Sequence, residues 1–340
     1  MFKKIFSSLF LASVILFSTA FVGCGGGGEE ILILAATEEE RIEFLTEKLE
    51  ERFPNYDITI QYVGTGELYS KLNEEKQNIT GDIIYDLEAT NAETLLANTP
   101  DLFYDLSSCD FSNYVENAKG HTARHKKYAT NAKFAGAIIV NKSVLASKGA
   151  PIPATYEDLL NPIYNDLICM PDPNYSGTGY CFYSGMVERL GETGALNYFD
   201  ALNANIKEYP SSGSAPIKQV NSGEIGIGVC MLWQAVEYAN ENANLQVVLP
   251  DNTLPYQLYN MAIVNGRETR PEVVEVFNYL FTDVNKLCQE QFCGEKLFTN
   301  QGASVVANYP SEFTEFNMPF LYDYEYKQEL CDAWERWGRS

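Results

Sequence analysis

Short apolar runs recur along this chain, and each is followed by a segment whose apolar residues fall three and four apart. ILILAA (31–36) precedes a helical pattern built on Ile42, Leu45 and Leu49 and ended by Pro54. YDITIQYV (56–63) leads through a glycine turn into GTGELYSKLNEEK (64–76), and GDIIYDLEA (81–89) into NAETLLAN. Further strand patterns fall at FAGAIIVNKSVL (134–145), DLICMP (166–171), GEIGIGVCML (223–232), LQVVLP (245–250) and YQLYNMAIVNG (256–266). Strands alternating with helices imply a parallel sheet covered on both faces, because parallel neighbours need a crossover between them. Amphipathic helices are expected at RPEVVEVFNYLFT (270–282) and near the C-terminus at EYKQELCDAWERWGR.

The first residues have a different logic. Lys3 and Lys4 precede an apolar stretch, Ile5 to Phe17, which gives way to small residues and then to FVGC at 21–24. That is the layout of a secretory leader, too short to span a bilayer as a ~20-residue helix. The end resembles a bacterial lipobox, which implies cleavage after residue 23 and a lipid on Cys24. Gly25 to Gly28, Glu29 and Glu30 form a flexible tether. The expected organisation is therefore 1–23 leader and 24–30 lipidated cysteine and tether, with a membrane attachment on the extracytoplasmic side.

Of 340 residues, the 23 of the leader leave 317, more than one core usually serves, so two lobes are expected. The leader carries two lysines and no acid, so its loss moves the net charge from −22 to −24. Such a chain is repelled by nucleic acid. Seven cysteines follow Cys24, an odd number, so at least one thiol lacks an internal partner. Cys169 and Cys181 flank residues 171–180 and are candidates to clamp them. CxxC is absent, and no metal site is expected.

The stretch PDPNYSGTGY (171–180) holds the most chemistry. A strand ends, two hydroxyls and two glycines follow, and a helix begins. The first turn of a helix has free backbone N–H groups at the positive end of its dipole, so such a corner can hold an anion. Ser176 and Thr178 add hydroxyl donors, and Gly177 and Gly179 would let a ligand approach the backbone. It is not a P-loop, since GxxxxGK[ST] is missing. GTGEL (64–68) repeats the device, and the two corners could face each other across a cleft.

These pieces occur in one order: GTGEL, KLNEEKQN, DIIYDLEA, IIVNKSVL, PATYEDLLNPIYNDLICMPDPNYSGTGY, and YPSSGSAPIKQVNSGEIGIGV. In that order they resemble the extracellular solute-binding proteins of ABC importers, in the branch for ferric iron, 2-aminoethylphosphonate, sugar phosphates and thiamine. The resemblance spans roughly residues 31–300. It implies a two-lobed α/β fold of the type 2 periplasmic-binding-protein kind, each lobe a mixed, mainly parallel sheet flanked by helices. The lobes are expected at 31–133 plus 260–300, and at 134–259 plus 301–340. The chain would cross between them at FAGAIIVNK and YQLYNMAIV and act as a monomer beside membrane permease subunits. The resemblance also implies that Ser176, Gly177, Thr178 and Tyr180 hold an anion, with Thr65, Gly66 and Glu67 opposite. Thr37, Ser212, Ser214, Trp233 and Tyr256 would add contacts, and Glu67 or Glu88 would take an amine. The implied role is capture of a small anionic solute, a phosphonate or phosphorylated compound, without a cofactor.

Ferric members place adjacent tyrosines after the GEIGIG strand. This chain has Met231, Leu232 and Trp233 there, and none of its 22 tyrosines are adjacent. Iron and thiamine compounds remain alternatives. His121 and His125 are four apart but lack a third ligand, within a basic patch with Arg124, Lys126 and Lys127. An exported hydrolase would need a nucleophile elbow or a catalytic set, and neither GxSxG nor HExxH occurs. A receptor reporting to a membrane kinase is a third alternative.

Overall fold

A computed structural model of the chain describes residues 30–115, 126–293 and 295–337. Cys24 and both histidines lie outside the described residues. The strands are β1 (Ile31–Ala35), β2 (Ile58–Tyr62), β3 (Ile83–Glu88), β4 (Ala129–Asn141), β5 (Ile168–Cys169), β6 (Ile206–Glu208), β7 (Ile227–Met231), β8 (Leu245–Val248), β9 (Thr253–Leu254), β10 (Tyr256–Ile263) and β11 (Thr314–Glu315). The α-helices are α1 (Glu39–Arg52), α2 (Thr65–Glu75), α3 (Ala89–Asn98), α4 (Lys142–Ser147), α5 (Gly177–Asn203), α6 (Ala215–Ser222), α7 (Leu232–Glu241), α8 (Pro271–Tyr279), α9 (Asn285–Phe292) and α10 (Tyr324–Arg336).

Nine strands form one sheet: eight follow the hydrogen-bonded path β2-β1-β3-β10-β4-β7-β5-β6, and β8 pairs with β4 off that path. The fold is mixed α/β and two-lobed. In one half, β1 pairs in parallel with β2 and β3. In the other, β5 pairs in parallel with β6 and β7. The two long strands join the halves with antiparallel pairing. β4 lies against β10 over Ala129–Ala135, then against β7 from Gly136 onward. All thirteen residues of β4 are buried. The register of β10 slips between Tyr259 and Asn260 against β4 and between Asn260 and Ala262 against β3. An irregularity of this kind re-aims the side chains beside it.

Side-chain alternation explains why both sheet faces are covered. In β1, Ile31, Ile33 and Ala35 enter one core with Leu45, Leu49, Val276 and Phe277, while Leu34 enters another with Leu68, Leu72 and Leu95. In the second half, Ile138, Val140, Ile227 and Val229 face Phe182, Phe199 and Trp334. Ile139 and Cys230 face Ile217 and Val220 on the other side. A strand buried on both faces reads as an unbroken apolar run rather than an alternating one, as ILILAA does.

Several elements differ from the sequence reading. The strand stops at Asn141 and KSVL (142–145) is helical: Asn141 accepts from the Val144 N–H and starts α4. The two helical patterns MVERL and GALNYFDALNANI join as one long α5, broken only at Gly191, where φ is +72°. The stretch 151–164 contains two 3-10 turns instead of an α-helix. No disulfide closes on Cys169 or Cys181, which are free thiols along with Cys109, Cys230, Cys288, Cys293 and Cys331. Among the described residues no helix is long and apolar enough to cross a membrane.

Candidate functional site

A cleft of about 760 Å³ opens where the two halves meet. That volume suits a small organic molecule. Ten of the thirteen candidate residues line it: Thr37, Thr65, Gly66, Glu67, Ser176, Gly177, Thr178, Tyr180, Ser212 and Ser214. They arrive from helix starts. α5 begins at the 176–180 corner, α6 just after the 211–214 loop, α2 at Thr65, and α1 two residues after Thr37.

The corner at α5 is ordered from beneath. Asp172 accepts at its carbonyl from the Ser176 N–H at 2.9 Å, and its carboxylate accepts from the Asn174 N–H at 2.8 Å. Ser176 Oγ accepts a long bond from the Gly179 N–H, and the Ser176 carbonyl takes the Tyr180 N–H. The N–H groups of Gly177 and Thr178 are left at the mouth of the helix. The 211–214 loop lies directly on this corner. Ser212 Oγ and Ser214 Oγ are 3.3 Å apart, and Ser214 does not cap α6 with its side chain. Across the cleft, Gly64 starts α2 with no side-chain cap either. Two helix starts with uncommitted N–H groups, those of α2 and α5, therefore share one cavity, where their dipoles favour negative charge, whereas at α6 the Ala215 N–H donates to the Ser212 carbonyl and Pro216 has no N–H.

The glycines also make room for the protein itself. A Cβ on Gly179 would lie 2.3 Å from the Pro171 carbonyl oxygen, so its smallness lets α5 pack onto the strand before it. A Cβ on Gly177 would meet Tyr259 Oη at 3.2 Å and Thr65 Cγ2 at 3.8 Å, and one on Gly66 would meet the Tyr175 carbonyl oxygen at 3.4 Å. Those two glycines let the halves approach each other.

Three candidates lie outside the lining. Glu88 is fully buried and caps α3, accepting from the Thr90 and Asn91 N–H groups and from the Lys327 ammonium at 2.6 Å. It has no free oxygen edge for a solute amine. Trp233, the second residue of α7, turns into the core beside Phe134 and Phe292, so that Met231, the last residue of β7, faces the cleft instead. Tyr256 lies beneath the Lys133 ammonium at 4.5 Å, and burial pushes its hydroxyl up to about 12.

The floor holds residues that the motifs did not single out. Arg41 is 1% exposed, pairs closely with Asp86, lies 3.7 Å from Glu38 and 4.7 Å above the Phe134 ring. Burial works against its charge more than any single neighbour supports it, but the acidic groups around it, Asp86 first, together outweigh burial and hold the guanidinium protonated. Burial lifts the Glu38 carboxyl to about 6 against the pull of Arg41. Asp86 also takes the Asn131 amide and sits at φ +58°. A lone arginine in a run of glutamates was the available signal for this site. Among the described residues, both cleft cations, Arg41 and Lys327, are thus matched by buried carboxylates, so the positive potential of this lining comes from the helix starts. Thr37 Oγ1, Arg41 Nε, Asn174 Oδ1 and Tyr180 Oη are buried in the lining without hydrogen-bond partners. Buried polar atoms are normally satisfied, so a cluster of four marks a place for a ligand's polar groups or water.

Comparison with known proteins places this geometry in context. A family model described as bacterial extracellular solute-binding protein matches residues 82–314. A Haemophilus influenzae uncharacterized protein is 26% identical over 220 residues, which cover 62% of either chain. The match thus spans less than two thirds of that relative's length. The solved periplasmic binding protein P5PA matches 91% of this chain and 99% of its own, with a TM-score of 0.79 at 20% identity. The periplasmic binding protein AfuA of Actinobacillus pleuropneumoniae, solved with fructose-6-phosphate, matches 91% of this chain and 98% of its own, with a TM-score of 0.80 at 19% identity. At such identities the likeness concerns the fold.

Proposed function

Because the chain belongs to the bacterial extracellular solute-binding proteins, we propose that it captures a small phosphorylated or phosphonate solute in its cleft and delivers it to ABC permease subunits. In this reading the chain is exported, tethered at Cys24, and works as a monomer and a carrier rather than an enzyme. The lobes are 31–133 plus 260–300 and 134–259 plus 301–340, and they close on the solute by bending at β4 and β10.

One observation carries the ligand class: the bare starts of α2 and α5 share the cavity while both cations among its described lining residues are already paired. Neutral donors of this kind suit a tetrahedral oxyanion. The fructose-6-phosphate held by AfuA is of the same chemical kind. The unpartnered Thr37, Asn174 and Tyr180 atoms suit hydroxyls on the solute's carbon skeleton. Ferric iron fits less well, because Met231 and the buried Leu232 and Trp233 occupy the place of a tyrosine pair.

The test is a thermal-shift panel of 2-aminoethylphosphonate, a hexose 6-phosphate, thiamine phosphate and ferric citrate. Ligand at 100 times its dissociation constant adds about 2.7 kcal/mol to stability. Thr178→Val should abolish the shift given by the phosphorus compounds. A shift with ferric citrate alone, unaffected by Thr178→Val, overturns the reading.

A further inference from the structure

The C-terminal helix α10 touches both halves of the molecule. Leu330 and Trp334 sit in the second half's core, where Trp334 packs against Phe199 at a ring distance of 5.2 Å. Two turns before Trp334, Lys327 reaches the other way. Its ammonium is 2.6 Å from Glu88 Oε2 and 3.0 Å from Asn91 Oδ1, and it lies 4.6 Å above the Tyr180 ring. Glu88 and Asn91 belong to the start of α3 in the first half, and Tyr180 to α5 in the second.

The ammonium has three donors and no acceptor. An amide facing it must present its oxygen, so the orientation of Asn91 is fixed by Lys327. The Asn91 NH₂ group is then left over. It has no hydrogen-bond partner among the described residues, and Asn91 lines the cleft with an exposure of 8%. Glu88 in turn holds Lys327 in place and accepts from the Asn91 backbone N–H.

We infer that Lys327 is a positioning residue that locks the Asn91 side chain as a donor into the cleft, and that Asn91 thereby selects solutes presenting an acceptor oxygen. This rests on the reading of the cleft as a solute site. It adds a second source of selectivity, on the α3 side, separate from the helix starts that hold the anion.

Three variants of the full protein test it. Asn91→Asp keeps an oxygen for Lys327 but exchanges the NH₂ donors for an acceptor and adds a negative charge, so a loss of binding counts toward the lock only together with the Lys327 pair. Its unfolding temperature should stay near that of the parent, while its affinity for the hexose 6-phosphate probe, read by calorimetry, falls at least tenfold. Lys327→Met should weaken the probe by a similar factor although Lys327 itself donates elsewhere, and Lys327→Arg should restore most of it. Asn91→Asp or Lys327→Met binding as tightly as the parent overturns the proposal. If the parent takes no phosphorus probe, the solute reading has failed, and the amide lock is then decided without ligand. In that case the Asn91 side-chain amide resonances should move in Lys327→Met and stay in place in Gln328→Ala. Unmoved resonances in Lys327→Met overturn the lock.

Discussion

Gly213 stands so close to Thr178 that a Cβ on it would lie 2.7 Å from the Thr178 hydroxyl and 3.0 Å from that of Ser176. The loop before α6 and the corner of α5 are therefore one surface, and the missing side chain on the first sets the hydroxyl directions on the second. Gly213→Ala should force Thr178 off its rotamer, at a strain of roughly 0.5–1.5 kcal/mol. Affinity for a phosphorus ligand should fall about tenfold, which is ~1.4 kcal/mol. The unfolding temperature should barely change, since the loop is only half-buried. Calorimetry and a melt on the same sample separate the two effects, and equal binding would show that the hydroxyls do not touch the solute.

Gly179 makes the opposite demand. It sits inside the first turn of a helix, where alanine is normally favoured by up to about 1 kcal/mol. Its Cβ, however, would meet the Pro171 backbone at 2.3 Å, and backbone cannot step aside as a side-chain tip can. Overpacking of this kind costs roughly 1–3 kcal/mol or more. Gly179→Ala should therefore lower stability by about 2 kcal/mol in denaturant titration, against the propensity scale. A stabilised variant would mean that α5 can slide away from the strand.

The contrast between those two glycines shows what the sequence could and could not disclose. The strand-to-helix corner at 171–180 was legible, because local composition determines a helix start. The neighbours of each glycine were not, because Thr178 reaches Gly213 and Pro171 reaches Gly179 only through the folded path of the chain. The apolar runs announced β1, β3 and β7 for a similar reason, since burial on both faces leaves a continuous signal. Arg41 was hidden: its partner Asp86 lies 45 positions away, and the pair forms only when β3 lies beside α1. Trp233 was misjudged because a strand-end position was assumed to extend past Met231, where α7 already turns the chain inward. Lys327 lies far from every motif, and only packing of α10 across both halves makes it part of the cleft.

The Arg41–Asp86 pair bears on stability more than on binding. Both side chains are 1% exposed, and removing one partner of a buried pair costs about 3–5 kcal/mol because the other charge stays behind. Asp86→Asn keeps the shape and tolerates the left-handed backbone, so the loss of charge is isolated. A drop of about 3 kcal/mol is expected. A second variant with Arg41→Met as well should recover part of it, and a double-mutant cycle from chemical denaturation gives the coupling. Additive losses would mean that the two charges do not depend on each other.

Acidic groups near α1 give the protein a particular response to pH. Burial lifts the Glu237 carboxyl from 4.5 to about 7, with smaller contributions from Glu40, Glu241 and Glu38, and burial lifts Glu38 to about 6. A raised carboxyl pKa means that the native state keeps its proton in a range where the unfolded chain has lost it. Between pH 4.5 and 7 the native state therefore binds more protons, and stability declines as pH rises. The contribution of these groups is complete below pH 4.5 and gone above about 7. Glu237→Gln should flatten that decline and raise the unfolding temperature at pH 7.5 relative to the parent, while leaving it unchanged at pH 4.5. Melts across this range test the sign: a parent that gains stability from Glu237 on going from pH 5 to 7 would place that carboxylate beside an uncounted cation instead of beside Glu40.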